Sequence, residues 1–238
     1  MGGVRFCILL ARAFFSVAFS FGLFGEKVRV ASFNLQNYLV MDRVVDGKWR
    51  KNYPKPEKEK RALRAILKSV DADVVSFQEI GDRPFLNELW MDLNVTKGPV
   101  YPHAIWMPAG DPEEVRHLAL FSKIPFSSIK MHHDIDFPYF DGRKTPDRGV
   151  LEVTFNSNGI KWKLFNLHLK SKWTERKDDP EATIRREREA RAIRDYIRKS
   201  NTSESNPRYL VVGDFNDHRN SSTLRRFLQV NDTPLTSM

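Results

Sequence analysis

RYLVVGDFND, residues 208–217, decides the fold. Leu210, Val211 and Val212 are a short apolar run of the kind that forms a strand buried on both faces. Gly213 breaks the run, and Asp214, Asn216 and Asp217 follow at once. A buried strand that ends in two carboxylates and an amide is either closing in an Asx turn or delivering oxygen ligands to a site at a sheet rim.

Three other strands end in the same way. KVRVASFNL (27–35) runs into Asn34, DVVSFQEI (73–80) into Glu79, and KWKLFNLHLKS (161–171) into His168. Each residue has an ordinary reading: Asn34 as a turn cap, Glu79 as a helix start, His168 as a strand histidine, Asp214 and Asn216 as an Asx turn. Four coincidences outweigh them, because capping alone does not select a carboxylate, two amides, an imidazole and a second carboxylate. Carboxylate and amide oxygens are hard donors suited to Mg²⁺ or Mn²⁺. A histidine beside them can donate to a phosphate oxygen.

Around these strands the periodicity predicts a mixed architecture. EKEKRALRAILKSV (57–70) reads as a helix with Leu63, Ile66 and Val70 on its apolar face, Pro56 opening it and Asp71 ending it. Phe85, Leu86, Leu89, Trp90 and Leu93 mark a second helix, and 178–199 a long charged one with Ile184, Ile193 and Ile197 apolar. Residues 117–126 read as a strand, 149–155 and 161–171 as a hairpin, 221–230 as a short helix, and 41–60 as a polar loop. Strands and helices mix without strict alternation, which argues for two packed sheets rather than one doubly wound sheet.

Composition fits one large soluble domain: 238 residues, 41% hydrophobic and 29% charged. The formal net charge of +9 favours anionic partners, nucleic acid or another phosphodiester. The single cysteine, Cys7, excludes an internal disulfide and a cysteine-built zinc site. Residues 1–25 lack acidic side chains and carry Arg5 and Arg12 before an apolar stretch, the pattern of a secretory signal peptide. The expectation is a secreted or periplasmic protein with its domain at 26–238. An uncleaved membrane anchor and a mis-assigned start are the alternatives, and no stable membrane span is expected.

SFNLQNY, DADVVSFQEI, RHLALFSKIPF, RGVLEVTF, LFNLHLKS and VVGDFND occur in this order. Together they resemble the endonuclease/exonuclease/phosphatase superfamily, the fold of pancreatic deoxyribonuclease. The resemblance implies a four-layered, two-sheet mixed α/β sandwich and divalent-metal-dependent phosphoester hydrolysis. It places the metal on Glu79 and Asn34, the scissile phosphate on His168, the attacking water on Asp214, and phosphate or water on Asn216. Arg148 and Lys170 lie beside these motifs as candidate phosphate clamps; their ordinary readings are an ion-pairing residue and a solvated lysine.

The family pattern also has an S-D-H segment, whose Asp-His dyad polarises the water, and this chain has none; His218 after Asp217 is a poor substitute. The expectation is therefore a sandwich whose C-terminal part is missing. The leading reading is a nuclease-type phosphodiesterase; the alternatives are a catalytically silent remnant or binding domain, and a phosphomonoesterase or phospholipid-headgroup hydrolase. Two features stay open. The basic segment 184–199 is a solvated helix face or a nucleic-acid contact. His103, His132 and His133 line a groove or pack in loops, and His132-His133 makes no metal pair, since strand neighbours point oppositely.

Overall fold

The computed structural model describes residues 17–23, 26–94, 100–157, 159–202, 207–230 and 233–234. In chain order the strands and helices are β1 (Val17–Leu23), β2 (Glu26–Tyr38), β3 (Met41–Val45), β4 (Lys48–Tyr53), α1 (Glu57–Val70), β5 (Val74–Ile80) and α2 (Arg83–Asn94). There follow β6 (His103–Met107), β7 (His117–Ser122), β8 (Phe126–His132), β9 (Phe137–Tyr139), β10 (Gly142–Lys144), β11 (Val150–Ser157) and β12 (Ile160–His168). The helix α3 (Thr183–Ser200), the strand β13 (Tyr209–Asp214) and the helix α4 (Ser222–Leu228) complete the sandwich.

Two sheets carry the architecture. The first has the order β1-β2-β5-β7-β6, with β2 and β5 parallel and the other pairs antiparallel. The second has the order β13-β12-β11-β8, with β12 and β13 parallel. Side chains alternate across each strand, so every central strand feeds two cores. Val28, Val30, Val74, Leu118 and Leu120 of the first sheet meet Leu151, Val153, Trp162, Leu164 and Val212 of the second. The opposite faces pack on helices. Ala31, Val75 and Phe77 lie under Leu63, Leu67, Leu86 and Leu89, while Phe165, Leu167 and Val211 lie under Ala190, Ile193, Ile197 and Leu224. The result has the two packed sheets that the strand pattern predicts, in the four-layered α/β sandwich that the family resemblance implies.

Several local readings change. The 117–126 strand is two strands in different sheets: β7 ends at Ser122, and the chain crosses before β8 begins at Phe126. The polar 41–60 loop contains the hairpin β3–β4, closed by Asp46 (φ 50°) and Gly47 (φ 74°), the paired left-handed turn that Asp-Gly favours. On α1 the buried stripe is Leu63 and Leu67, with Ile66 half-buried at its edge. On α3 Ile184 is exposed, whereas Arg186 and Glu189 are 1% exposed. Arg186 is tolerated inside because its guanidinium bonds Asp217 Oδ2 at 3.1 Å and the carbonyls of Lys170 and Glu181. Residues 17–23 of the segment read as a leader form β1, antiparallel to β2; residues 1–16 and 24–25 lie outside the described residues. No helix among the described residues is long and apolar enough to cross a membrane.

Candidate active site

The inward alternation that builds the inter-sheet core also aims the site. On β2 the inward series is Val28, Val30, Ser32, Asn34; on β12 it is Trp162, Leu164, Asn166, His168; on β13 it is Leu210, Val212, Asp214. The candidate residues are thus the continuation of the core at one rim, and β12–β13 register sets His168 opposite Asp214.

Glu79 breaks this parity. Gln78 points inward, so plain alternation would send Glu79 into the helix-covered core. Instead the β5 register shifts between Gln78 and Ile80, and Glu79 takes φ 61°. This β-bulge turns Glu79 toward the rim and sends Ile80, which plain alternation would point inward, into the outer core. A non-glycine residue held in this region is strained, and such strain concentrates at functional sites.

The side chains converge. The Asn34 amide nitrogen donates to Glu79 Oε1 at 3.1 Å and to Asp214 Oδ2 at 2.8 Å. The Asn37 N–H donates to Glu79 Oε2 at 2.9 Å, and the Asn216 N–H to Asp214 Oδ1 at 2.7 Å. His168 Nε2 lies 3.8 Å from Glu79 Oε1. Ligand atoms of Glu79, His168 and Asp214 all fall within 4.8 Å of one another, a possible metal triad. Asn216 (φ 51°) donates its side-chain amide to the Leu169 carbonyl at 2.9 Å.

Beneath the site runs a polar layer. Gln78 donates to Asn166 Oδ1 at 2.8 Å and to the Ser32 and Ser76 hydroxyls, and Asn166 donates to the carbonyls of Phe77 and Ala119. All four polar side chains are buried. They tie the two sheets directly under the candidate site, so the donors above have little freedom to part.

The surroundings are cationic. Burial, reinforced by Arg148, Arg116 and Lys170, holds the His168 imidazole well below its ordinary pKa, so the ring is neutral near pH 7. Its Nδ1 is buried with no partner among the described residues. Arg148 is 4% exposed and pairs through Nη2 with Glu114 at 2.5 Å, while its Nε and Nη1 have no partner among the described residues. Arg116 bonds Glu114 at 3.2 Å and Asn37 Oδ1 at 2.8 Å. Lys170 donates to the Trp173 carbonyl at 2.8 Å, and burial followed by Arg148 lowers its pKa.

A profile of the Endonuclease/Exonuclease/phosphatase family matches residues 31–234. The chain belongs to this family of phosphoester hydrolases. Among solved structures, sphingomyelinase C from Streptomyces griseocarneus superposes with a TM-score of 0.59 at 18% identity, covering 84% of this chain and 69% of that one. The human Nocturnin catalytic domain gives 0.55 at 17% identity, covering 84% and 68%. TDP2 from Caenorhabditis elegans gives 0.54 at 18% identity, covering 82% and 48%. At such identities the likeness is one of fold. No curated protein sequence matches the chain.

Within this family member, Asn34, Glu79, His168, Asp214 and Asn216 come together, with Arg148 and Lys170 beside them. Asp217 does not join them. It accepts from Arg186 and from the Thr223 hydroxyl at 2.8 Å, anchoring α3 and α4, and His218 is exposed. His132 is also structural: its Nε2 lies 2.8 Å from Glu152 Oε2, under Tyr196. Several basic groups of α3 are answered by acids, Arg185 by Asp147, Arg186 by Asp217, and Arg191 and Arg194 by Asp195. Sequence reasoning missed Gln78, Asn166, Glu114 and Arg116. Gln78 and Asn166 stand inside the quoted motifs, and their inward parity with Val74 and Leu164 was the available signal.

Proposed function

We propose that this chain hydrolyses phosphodiesters with a divalent cation, Mg²⁺ or Mn²⁺, held by Glu79, Asn34 and Asp214. One observation carries the reading: the Asn34 amide N–H₂ lies between a Glu79 oxygen and an Asp214 oxygen, where two anionic groups have been brought together at a half-buried rim. Two carboxylates suit a hard cation, and they fit it; Asn34 Oδ1, which here accepts from the Gln36 N–H at 2.8 Å, would join them on a turn of its amide. Such an ion, when bound, neutralises charge on the phosphate and lowers the barrier to attack by water.

The protein's own groups supply the rest. His168, neutral and desolvated, donates one ring N–H to a phosphate oxygen and stabilises the charge that develops there. Asp214, fixed by Asn34 and by the Asn216 N–H, keeps lone pairs free to orient the water in line with the leaving oxygen. Asn216 commits its amide nitrogen to Leu169, so it positions the turn that aims Asp214. Arg148, buried against Glu114, and Lys170 add positive potential at the phosphate.

The test is hydrolysis of bis(p-nitrophenyl) phosphate and of plasmid DNA with Mg²⁺, by the wild type and by Glu79→Gln. The wild type turns over at least one of the two, and the variant loses on the order of a thousandfold, about 4 kcal/mol of transition-state stabilisation. Equal background rates in both proteins would refute the assignment and leave a binding domain of the same fold. Loss of DNA cleavage alone separates the nuclease reading from a narrower phosphodiesterase.

A further inference from the structure

The strand β4 is exposed along its whole length and begins Lys48-Trp49-Arg50-Lys51. Trp49 is 61% exposed, and no ring or side chain of the described residues covers it. Lys48, Arg50 and Lys51 form no ion pair among the described residues, whereas Lys55, Lys60 and Arg64 just beyond are each matched by an acid. The hairpin's own acids do not answer them. Asp42 accepts the Asn52 N–H at 2.9 Å, and Asp46 lies in the turn. Arg50 stands directly opposite Arg43 in the ladder, a like-charge pair that an anion would relieve.

The hairpin is fastened to the candidate site. Arg43 donates to the carbonyls of Asn37 at 3.2 Å and Leu39 at 2.8 Å, and the Asn37 N–H holds Glu79 Oε2. Lys55, just after β4, donates to the Gln36 carbonyl at 3.0 Å. From Tyr53 at the base of the hairpin, Trp49 is about 13 Å further along extended strand, within reach of a few nucleotides.

The pattern of side chains favours one anionic partner. A hairpin that dips into a lipid surface leads with its turn, and this turn is Asp46-Gly47, polar and acidic. Trp49 stands back from it on the flank, interleaved with cations, the arrangement that receives bases and phosphates together. We infer that the β3–β4 hairpin binds a single-stranded polynucleotide, with backbone phosphates on Lys48, Arg50 and Lys51 and an unstacked base on Trp49. The inference rests on the phosphodiesterase reading for the seat of the scissile phosphate, but not for the contact with the hairpin.

The experiment is fluorescence anisotropy of a labelled twenty-nucleotide oligothymidylate with the full chain in EDTA, so that no turnover intervenes. It compares the wild type with Trp49→Ala, with the triple variant Lys48→Gln, Arg50→Gln, Lys51→Gln, and with a control of equal charge, Lys68→Gln, Lys161→Gln, Lys199→Gln. All these positions are exposed. The triple variant binds at least tenfold more weakly, and its slope of log affinity against log salt is shallower by about 2, from about 0.7 for each lost single-strand phosphate contact. Trp49→Ala binds about tenfold more weakly with the slope unchanged, since a ring releases no counterions. No oligonucleotide binding, an equal loss in the control, wild-type affinity in Trp49→Ala, or binding to vesicles of phosphatidylserine in preference to the oligonucleotide overturns the inference. Binding through the hairpin in a protein that fails the hydrolysis test keeps this surface and removes the catalytic assignment; hydrolysis without such binding does the reverse.

Discussion

Replacing Gly213 with alanine tests the link between strand packing and the reacting groups. Gly213 sits at φ 137°, a region that side-chain-bearing residues rarely adopt, on a strand paired in register with Leu167 of β12. A Cβ built there would lie 1.9 Å from the Leu167 carbonyl oxygen and 2.8 Å from its carbon. Ordinary contact begins near 3.4 Å, so β12 and β13 would have to part by about 1.5 Å, the difference from the 1.9 Å approach. The backbone conformation alone costs about 1–3 kcal/mol in an alanine. Parting the strands weakens neighbouring ladder hydrogen bonds, each worth about 1 kcal/mol. The total is roughly 3–5 kcal/mol, which at a denaturant slope of about 2 kcal/mol per molar lowers the urea midpoint by about 2 M. The same parting moves Asp214 away from Asn34, now 2.8 Å off, and a displacement near 1 Å reduces turnover by about a hundredfold. Urea unfolding followed by tryptophan fluorescence, alongside the hydrolysis assay, reads both effects. Gly142→Ala is the control, because a Cβ there meets nothing within 4 Å. A Gly213→Ala protein within 1 kcal/mol of the Gly142→Ala control would show that the close approach to Leu167 does not constrain the strand pair.

Glu189 gives a pH signature. Burial raises its carboxyl from 4.5 to about 7, so its contribution to stability is complete below about pH 4.5 and is lost as pH rises through 7, by up to about 3 kcal/mol. Glu189→Gln keeps an acceptor for the Lys170 N–H and should flatten the fall in melting temperature between pH 5 and pH 8; an unchanged slope would remove Glu189 as its source. Asn166→Leu removes the Gln78 amide's acceptor in the second sheet and leaves the Phe77 and Ala119 carbonyls without their donor, at a cost of about 2–3 kcal/mol, and in a double-mutant cycle with Gln78→Leu the two losses are less than additive by about 0.5 kcal/mol or more. Strict additivity in chemical unfolding would mean that the polar layer does not couple the sheets.

Much of the site was legible in the sequence because the signal is local. The parity of a strand is set by its own backbone, so Asn34, His168 and Asp214 could be placed on the core-facing edge from Val30, Leu164 and Val212 alone. The helix at 57–70 was likewise readable, with its end at Asp71, which takes the left-handed conformation. Other features escaped for physical reasons. The split of 117–126 between sheets depends on which strand each half meets. The burial of Arg186 depends on Asp217, thirty-one residues away, and so has no local trace. The β3–β4 hairpin was missed although Asp46-Gly47 announced it, because β4 is exposed throughout and neither strand alternates apolar with polar residues in sequence.

The sequence by itself determined the layered α/β class, the family, and the residue types that reach the rim, since these follow from periodicity and from motifs carried within single strands. Only the tertiary structure decided how those residues act together. The bulge that turns Glu79 toward His168 and Asp214, the Asn34 amide between two carboxylates and the Gln78–Asn166 tie all join segments far apart in the chain. Such contacts arise when the two sheets pack, and no local pattern of hydrophobicity encodes the distances they set.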